Sequence, residues 1–309
     1  MNSPSVRSDV RQFLDHLEGL DRPKGHEVGP AAARKMMVAS RYAFEVEARE
    51  IAELRDVDAP VPMRLYDART ERGPGPLLVF IHGGGWVIGD IETHEPFCID
   101  LAIELDVPVV AVDYRLAPEY PFPAGFEDAL AAVRWIASGP AELGRRPTSL
   151  FLSGDSAGGN LAAAVSAALR DEPAGVPIAG QWLIYPAADP CGHYPSYEQF
   201  FEGHLLTKAS MDWFEDSYAG PKGDWRYSPL LKGCEGLPPT LVTTAGLDPI
   251  RDQGRAYAAR CAEAGVETVY WEAPGTIHGF LNLRKGIPSG QEDFARCLTY
   301  LKPWVERAR

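Results

Sequence analysis

Six short apolar runs punctuate the chain: LLVFI (77–81), VPVVAVDY (107–114), SLFLSG (149–154), GQWLIYP (180–186), TLVTTAG (240–246) and ETVYWEA (267–273). None alternates cleanly between apolar and polar positions, which is the pattern of strands buried on both faces. Between most of them lie segments with helical spacing of apolar residues, at 94–105, 125–138, 158–170 and 252–264, and another at about 290–305 closes the chain. Strand alternating with helix predicts an α/β fold with a mostly parallel central sheet, helices on both faces and right-handed crossovers.

Two regions break the alternation. In residues 1–50, Val6, Val10, Phe13, Leu14 and Leu17 recur at helical spacing, and the pattern resumes after Gly29-Pro30, so two helices are expected there. Residues 189–225 hold Tyr194, Tyr197, Phe200, Phe201, Trp213, Phe214, Tyr218 and Trp225 and carry no strand pattern. We read 1–50 and 189–225 as two parts of one helical cap packed over the sheet. Residues 51–188 and 226–309 then form the α/β domain itself. The alternative is that both regions are ordinary peripheral helices.

Composition narrows the partners. Hydrophobic residues make up 45% and charged residues 24%, as in a soluble globular protein. The 43 acidic residues outnumber the 30 basic ones for a net charge of −13, and no Lys/Arg block interrupts this. That argues against nucleic acid and against an anionic membrane surface. The N-terminal stretch lacks the apolar core of a signal peptide, and no apolar run approaches the ~20 residues of a membrane span. Cys98, Cys191, Cys234, Cys261 and Cys297 are scattered, odd in number and form no CxxC. They suit a reducing compartment and suggest neither a disulfide framework nor a metal site. The expectation is a cytoplasmic protein without a membrane span.

Ligand sites in parallel sheets form beyond the C-terminal ends of the strands. Here those ends carry HGGGW (His82 to Trp86), GDSAGG (154–159), LDP (Leu247, Asp248, Pro249) and PGTIHGF with His278. Gly154-Asp155-Ser156-Ala157-Gly158 matches G-x-S-x-G, a strand-to-helix turn that lifts a serine hydroxyl above a sheet. A serine needs a base within hydrogen-bond reach, for which His278 is the candidate, and the imidazole needs an orienting acid, for which Asp248 is the candidate. Asp252 and Asp155 are the other acids to weigh, as a helix-start carboxylate and as a support for the turn. A glycine loop leaves backbone N–H groups free to stabilise an oxyanion. Gly83, Gly84 and the Ala157 N–H are the expected donors. His82 is expected to brace the loop, and His94, His193 and His204 to lie on the surface or in the cap. If the cap covers the strand ends, Trp86, Phe200, Phe201, Leu205, Leu206, Trp213 and Phe214 would wall the pocket, with Trp86 first because it follows the glycines.

Together the motifs HGGGWVIGD, DYRLAPEYPFPA, GDSAGGNLAAA, GLDPIRDQG and IHGF resemble the bacterial hormone-sensitive-lipase family of carboxylesterases. The resemblance spans essentially residues 60–309, and the helical N-terminus is similar to that family's cap. It implies an α/β-hydrolase fold, an acyl-enzyme mechanism, no cofactor and a small-molecule ester substrate. The resemblance also implies acyl groups of about two to six carbons, and a limit is expected because each buried methylene favours binding only while the pocket has room. The matching positions are Ser156, Asp248 and His278, with Gly83, Gly84 and Ala157. Trp86 stands where Phe is commoner, and Tyr120 where His is frequent.

Other functions compete with this one. The same residues could cleave amides, as an amidase or acyl-peptide hydrolase does, although no propeller-like repeat and no charged anchor for a peptide terminus is seen. A non-catalytic ligand-binding protein of this fold would have lost a member of the triad. A nucleotide-binding reading fails for want of GxGxxG or GxxxxGK[ST]. The sequence leaves a homodimer open.

Overall fold

The computed structural model describes residues 5–20 and 23–309; residues 1–4 and 21–22, which belong to the N-terminal cap segment, lie outside the described residues. The chain opens with helices α1 (Ser8–Glu18), α2 (Gly25–Val28) and α3 (Pro30–Phe44). Strands β1 (Glu53–Val57), β2 (Met63–Asp67) and β3 (Gly75–Ile81) follow. Helices and strands then alternate: α4 (Glu95–Leu105), β4 (Val109–Val112), α5 (Ala124–Ala137), β5 (Pro147–Asp155), α6 (Ala157–Asp171) and β6 (Ile178–Ile184). Helices α7 (Pro195–Phe200) and α8 (Lys208–Tyr218) interrupt this order. It resumes with β7 (Thr240–Leu247), α9 (Arg251–Glu263), β8 (Thr268–Ile277) and α10 (Gly290–Arg307).

The eight strands form one sheet in the order β1-β2-β4-β3-β5-β6-β7-β8. All six expected strands are present, and every pairing among them is parallel. The sequence reading missed β1 and β2. They pair antiparallel, from Glu53 opposite Asp67 to Val57 opposite Met63, and β2 runs antiparallel to β4. Edge strand β1, ELRDV, buries only Val57 fully, so it lacks the apolar run that marks a central strand.

Why the six runs do not alternate is plain from the packing. Val79, Ile81, Leu150, Leu152 and Val242 face a core with residues of α5, α6 and α9, such as Val133, Leu161 and Tyr257. Their neighbours Leu78, Phe80, Phe151 and Leu241 face a second core with α1, α4 and α10, through Phe13, Phe97 and Phe294. Both faces are apolar, so successive residues are apolar. This is an α/β-hydrolase fold, and it brings the ends of β3, β5, β7 and β8 to one edge.

Candidate active site

Strand β5 ends at Asp155 and helix α6 starts at Ala157, so Ser156 alone makes the reversal. It does so at φ 55° and ψ −117°, a strained conformation for a residue with a side chain. Two bonds hold it there: the Ser156 N–H donates to Ile184 O at 2.8 Å, and the Ala187 N–H donates to Ser156 O at 3.2 Å. Space is just as tight. A side chain at Gly154 would strike the Gly158 carbonyl, and one at Gly158 would strike the carbonyl of Ile81. The glycines therefore surround Ser156 because β5, β3 and α6 touch backbone to backbone.

The serine Oγ lies 2.8 Å from His278 Nε2, and His278 Nδ1 lies 2.7 Å from Asp248 Oδ2. Asp248, just beyond β7, is fully buried, and its other oxygen accepts the Ile250 N–H at 2.9 Å. That second bond fixes the carboxylate plane. Asp252 is engaged by other groups. It accepts the Ser196 N–H at 3.1 Å and pairs with Arg251 and Arg255 at 2.8 and 3.1 Å.

The glycine loop differs from expectation at one position. The Gly83 N–H donates to Asp155 Oδ1 at 2.7 Å, so it is not free for a substrate oxygen. Gly84 and Gly85 line the cavity beside Ser156, and Gly83 does not. Among the described residues neither the Gly84 nor the Gly85 N–H has a protein acceptor. Ala157, the first residue of α6, carries one of the unpaired N–H groups of a helix start. A residue larger than glycine at 85 would collide with the Phe214 ring.

Asp155 anchors a buried cluster behind this loop. It also accepts the Asn282 side-chain N–H at 3.1 Å, and His94 Nε2 lies 3.2 Å from its Oδ1. His94 is 1% exposed, which corrects the expectation of a surface or cap histidine. It starts α4 and packs beside His82, ring centroids 5.7 Å apart. His82 braces the loop through Nδ1, 2.8 Å from Gly83 O, and stacks on Tyr114 at 4.4 Å. Burial, with His94 adjacent, pushes the His82 imidazole down to about 4, so it stays uncharged at neutral pH. His193 is exposed and His204 half-buried. Only the aspartate in GDSAGG hinted at this cluster; nothing local marks His94 or Asn282.

A cavity of about 760 Å³ opens above Ser156 and His278. Trp86, Leu205, Leu206, Trp213 and Phe214 line it, together with Leu14 and Leu17 of α1 and Met36 and Met37 of α3. Phe200 and Phe201 do not. Phe200 is buried with the Arg251 guanidinium over its ring, and Phe201 stacks on Tyr197 at 5.1 Å. At α7 and its C-terminal cap they face α9 and a neighbouring aromatic rather than the cavity. Trp86 is 4% exposed and lies flat against Tyr218 at 4.6 Å. Among the described residues no helix is long and apolar enough to cross a membrane.

Comparison with known proteins bears on the fold and the family. A family model described as an alpha/beta hydrolase fold matches residues 78–282. Carboxylic ester hydrolase LipN of Mycobacterium tuberculosis is 41% identical over 245 residues, 75% of this chain and 65% of that protein. The chain thus spans just under two thirds of LipN's length. Carboxylesterase NlhH of the same organism is 35% identical over 308 residues, 97% of this chain and 96% of its own. The solved structure of an ester hydrolase from the metagenome of Lake Arreo, in complex with a derivative of bipyridine phosphonate, superposes with a TM-score of 0.90 at 40% identity, covering 96% of this chain and 98% of that one. Full-length similarity to NlhH, the matched family and the strand-end motifs agree: the chain belongs to the hormone-sensitive-lipase-like family of the α/β-hydrolase fold and is a carboxylic ester hydrolase.

Proposed function

We propose that Ser156 is the nucleophile of a serine carboxylesterase acting on short-chain esters, with His278 as general base and Asp248 as its orienting acid. The observation that carries this is the unbroken relay from Ser156 Oγ to His278 Nε2 at 2.8 Å and from His278 Nδ1 to Asp248 Oδ2 at 2.7 Å. Ser156 attacks the ester carbonyl as His278 takes its proton, and buried Asp248 stabilises the imidazolium that forms. The carbonyl oxygen becomes an oxyanion, and Gly84, Gly85 and Ala157 supply the N–H donors for it. The positive end of the α6 dipole favours the same charge. His278 then protonates the leaving alcohol. Water activated by the same imidazole attacks the acyl-enzyme, releases the acid and restores Ser156.

Helices α1–α3 with α7 and α8 act as a cap in this reading. Leu14, Met36, Leu205 and Phe214 come from both of its segments and line one cavity with Ser156, which supports it. The test is labelling by a fluorophosphonate alongside hydrolysis of acetyl and butyryl esters. Both are expected in the wild type and neither in Ser156→Ala. Labelling of the Ser156→Ala protein at the wild-type rate would place the nucleophile elsewhere.

A further inference from the structure

Three carboxylates on the cavity wall, Glu18, Glu202 and Glu215, have no part in ester hydrolysis, and of these only Glu215 is not exposed. Glu215, in α8, lines the cavity that holds Ser156 and is only partly exposed. Among the described residues no hydrogen bond engages its carboxylate, and Lys208 and Lys222 act on it only at a distance. Lys208 is already paired with Asp212 at 2.8 Å. Burial, reinforced by Asp212 and Asp216, holds the Glu215 carboxyl above the usual glutamate range. Its charge also reaches inward. Burial raises the phenols of Tyr197 and Tyr227, and Glu215 is the largest charge adding to it in both. Tyr227 packs on Trp86 with centroids 5.7 Å apart, so the carboxylate belongs to the aromatic side of the cavity.

A half-buried carboxylate without a partner is costly, and a cation that reaches it relieves the cost. The surrounding groups suit an organic cation. Trp86, Trp213 and Phe214 line the same cavity, and aromatic rings of this kind attract an alkylammonium. Of the arginines and lysines on the wall, Arg11 and Arg41 already face Asp15 and Glu95 at 3.7 and 3.6 Å, and Lys24 is exposed. None fills the role from within. The net charge of −13 draws cations toward the protein in general. We propose that Glu215 is a specificity-determining residue that receives the positive end of an ester carrying an alkylammonium group in its alcohol or acyl part. This rests on the esterase reading, whose reacting centre is Ser156 in the same cavity.

Two readouts separate the inference from that reading. Calorimetric titration compares choline with 3,3-dimethyl-1-butanol, its uncharged isostere, and needs no catalysis. The acyl arm compares 4-(trimethylammonio)butanoate amide with the amide of 5,5-dimethylhexanoate. Kinetics then compare the acetates of the two alcohols, and the phenyl esters of the two acids. The wild type is expected to favour the cationic member of at least one pair by roughly tenfold in affinity and in KM. Glu215→Gln should remove that preference, and Glu215→Asp should keep part of it. Absence of a preference in both arms of the wild type, or an undiminished preference in Glu215→Gln, overturns the inference. Cation preference in the titration without hydrolysis of any ester would leave the inference standing and reject the esterase reading at Ser156.

Discussion

The backbone N–H of Gly83 donates to the carboxylate of Asp155 at 2.7 Å, joining two strand ends that are 72 residues apart in sequence. This bond decides which glycines of HGGG face the cavity. With Gly83 tied back, the loop turns so that Gly84 and Gly85 reach the cavity. Loss of the Asp155 side chain should therefore disorder the proposed oxyanion donors without touching the proposed triad. Asp155→Ala is expected to lower kcat by roughly 10²-fold with a smaller change in KM, as loss of an oxyanion donor does. Asp155→Asn, which keeps an acceptor oxygen, should recover part of it. Steady-state kinetics on a well-folded preparation checks this, and an Asp155→Ala enzyme with unaltered kcat would sever the link.

The two acids near β7 should separate cleanly. Asp248→Asn is expected to cost roughly 10⁴ in kcat, because the imidazole is then held in the wrong tautomer. Asp252 bonds to Ser196, Arg251 and Arg255 and so ties α7 to α9. Asp252→Asn should lower the thermal midpoint while keeping kcat/KM within about tenfold of wild type. The reverse ranking in kcat would transfer the orienting role to Asp252.

Trp86 carries a prediction about chain length. It is buried, lines the cavity and lies flat on Tyr218. Removing the indole opens room for extra methylenes, each worth about 0.8 kcal/mol when buried. The wild type is expected to prefer acyl groups of about two to six carbons, and Trp86→Ala to prefer longer ones. Profiles of kcat/KM against chain length for both proteins test it. Identical optima would take Trp86 out of the limiting wall, and a wild-type optimum at about twelve carbons would exclude a small pocket.

His94 and Asp155 give stability a dependence on pH. Burial disfavours the charged His94 imidazole, but Asp155 at 3.2 Å and Asp90 together outweigh it and the net shift is upward. For Asp155 burial pushes up, yet His94 and the Gly83 N–H bring the carboxyl below the usual aspartate range. A raised histidine stabilises the fold fully below its unfolded value of about 6.5, and that share is lost as pH rises through the folded value. A lowered aspartate stabilises above about 3.9 and loses its share as pH falls through the folded value. The pair therefore contributes most from roughly pH 4 to 6.5. The gap in thermal midpoint between wild type and His94→Gln should be widest near pH 5.5 and narrow toward pH 8.5 or above. A gap that stays constant or widens with rising pH would mean that His94 is not held charged by Asp155.

What the sequence determined by itself is the local part of this protein. Two-sided burial of central strands writes continuous apolar runs, so the six parallel strands were legible, and with them the strand ends at which Ser156, Asp248 and His278 stand. The tight turn at Ser156 writes its own glycines, because backbone contact excludes side chains. Strand β1 left no such run, since an edge strand needs only one apolar face, and β2, inside the sheet, breaks its run with Arg64 and with a buried Asp67 paired to Arg72 and Arg145. Tertiary structure alone decided the rest. Whether Gly83 is a free donor depends on Asp155, which belongs to another strand. Whether His94 is buried depends on the approach of α4 to the end of β5. Phe200 and Phe201 read like pocket residues, but the end of α7 turns them toward Arg251 and Tyr197. A local pattern records what a residue's own strand or turn requires of it. It holds no record of which distant group takes up a hydrogen-bond donor or a ring face, because that choice is made only when the elements pack.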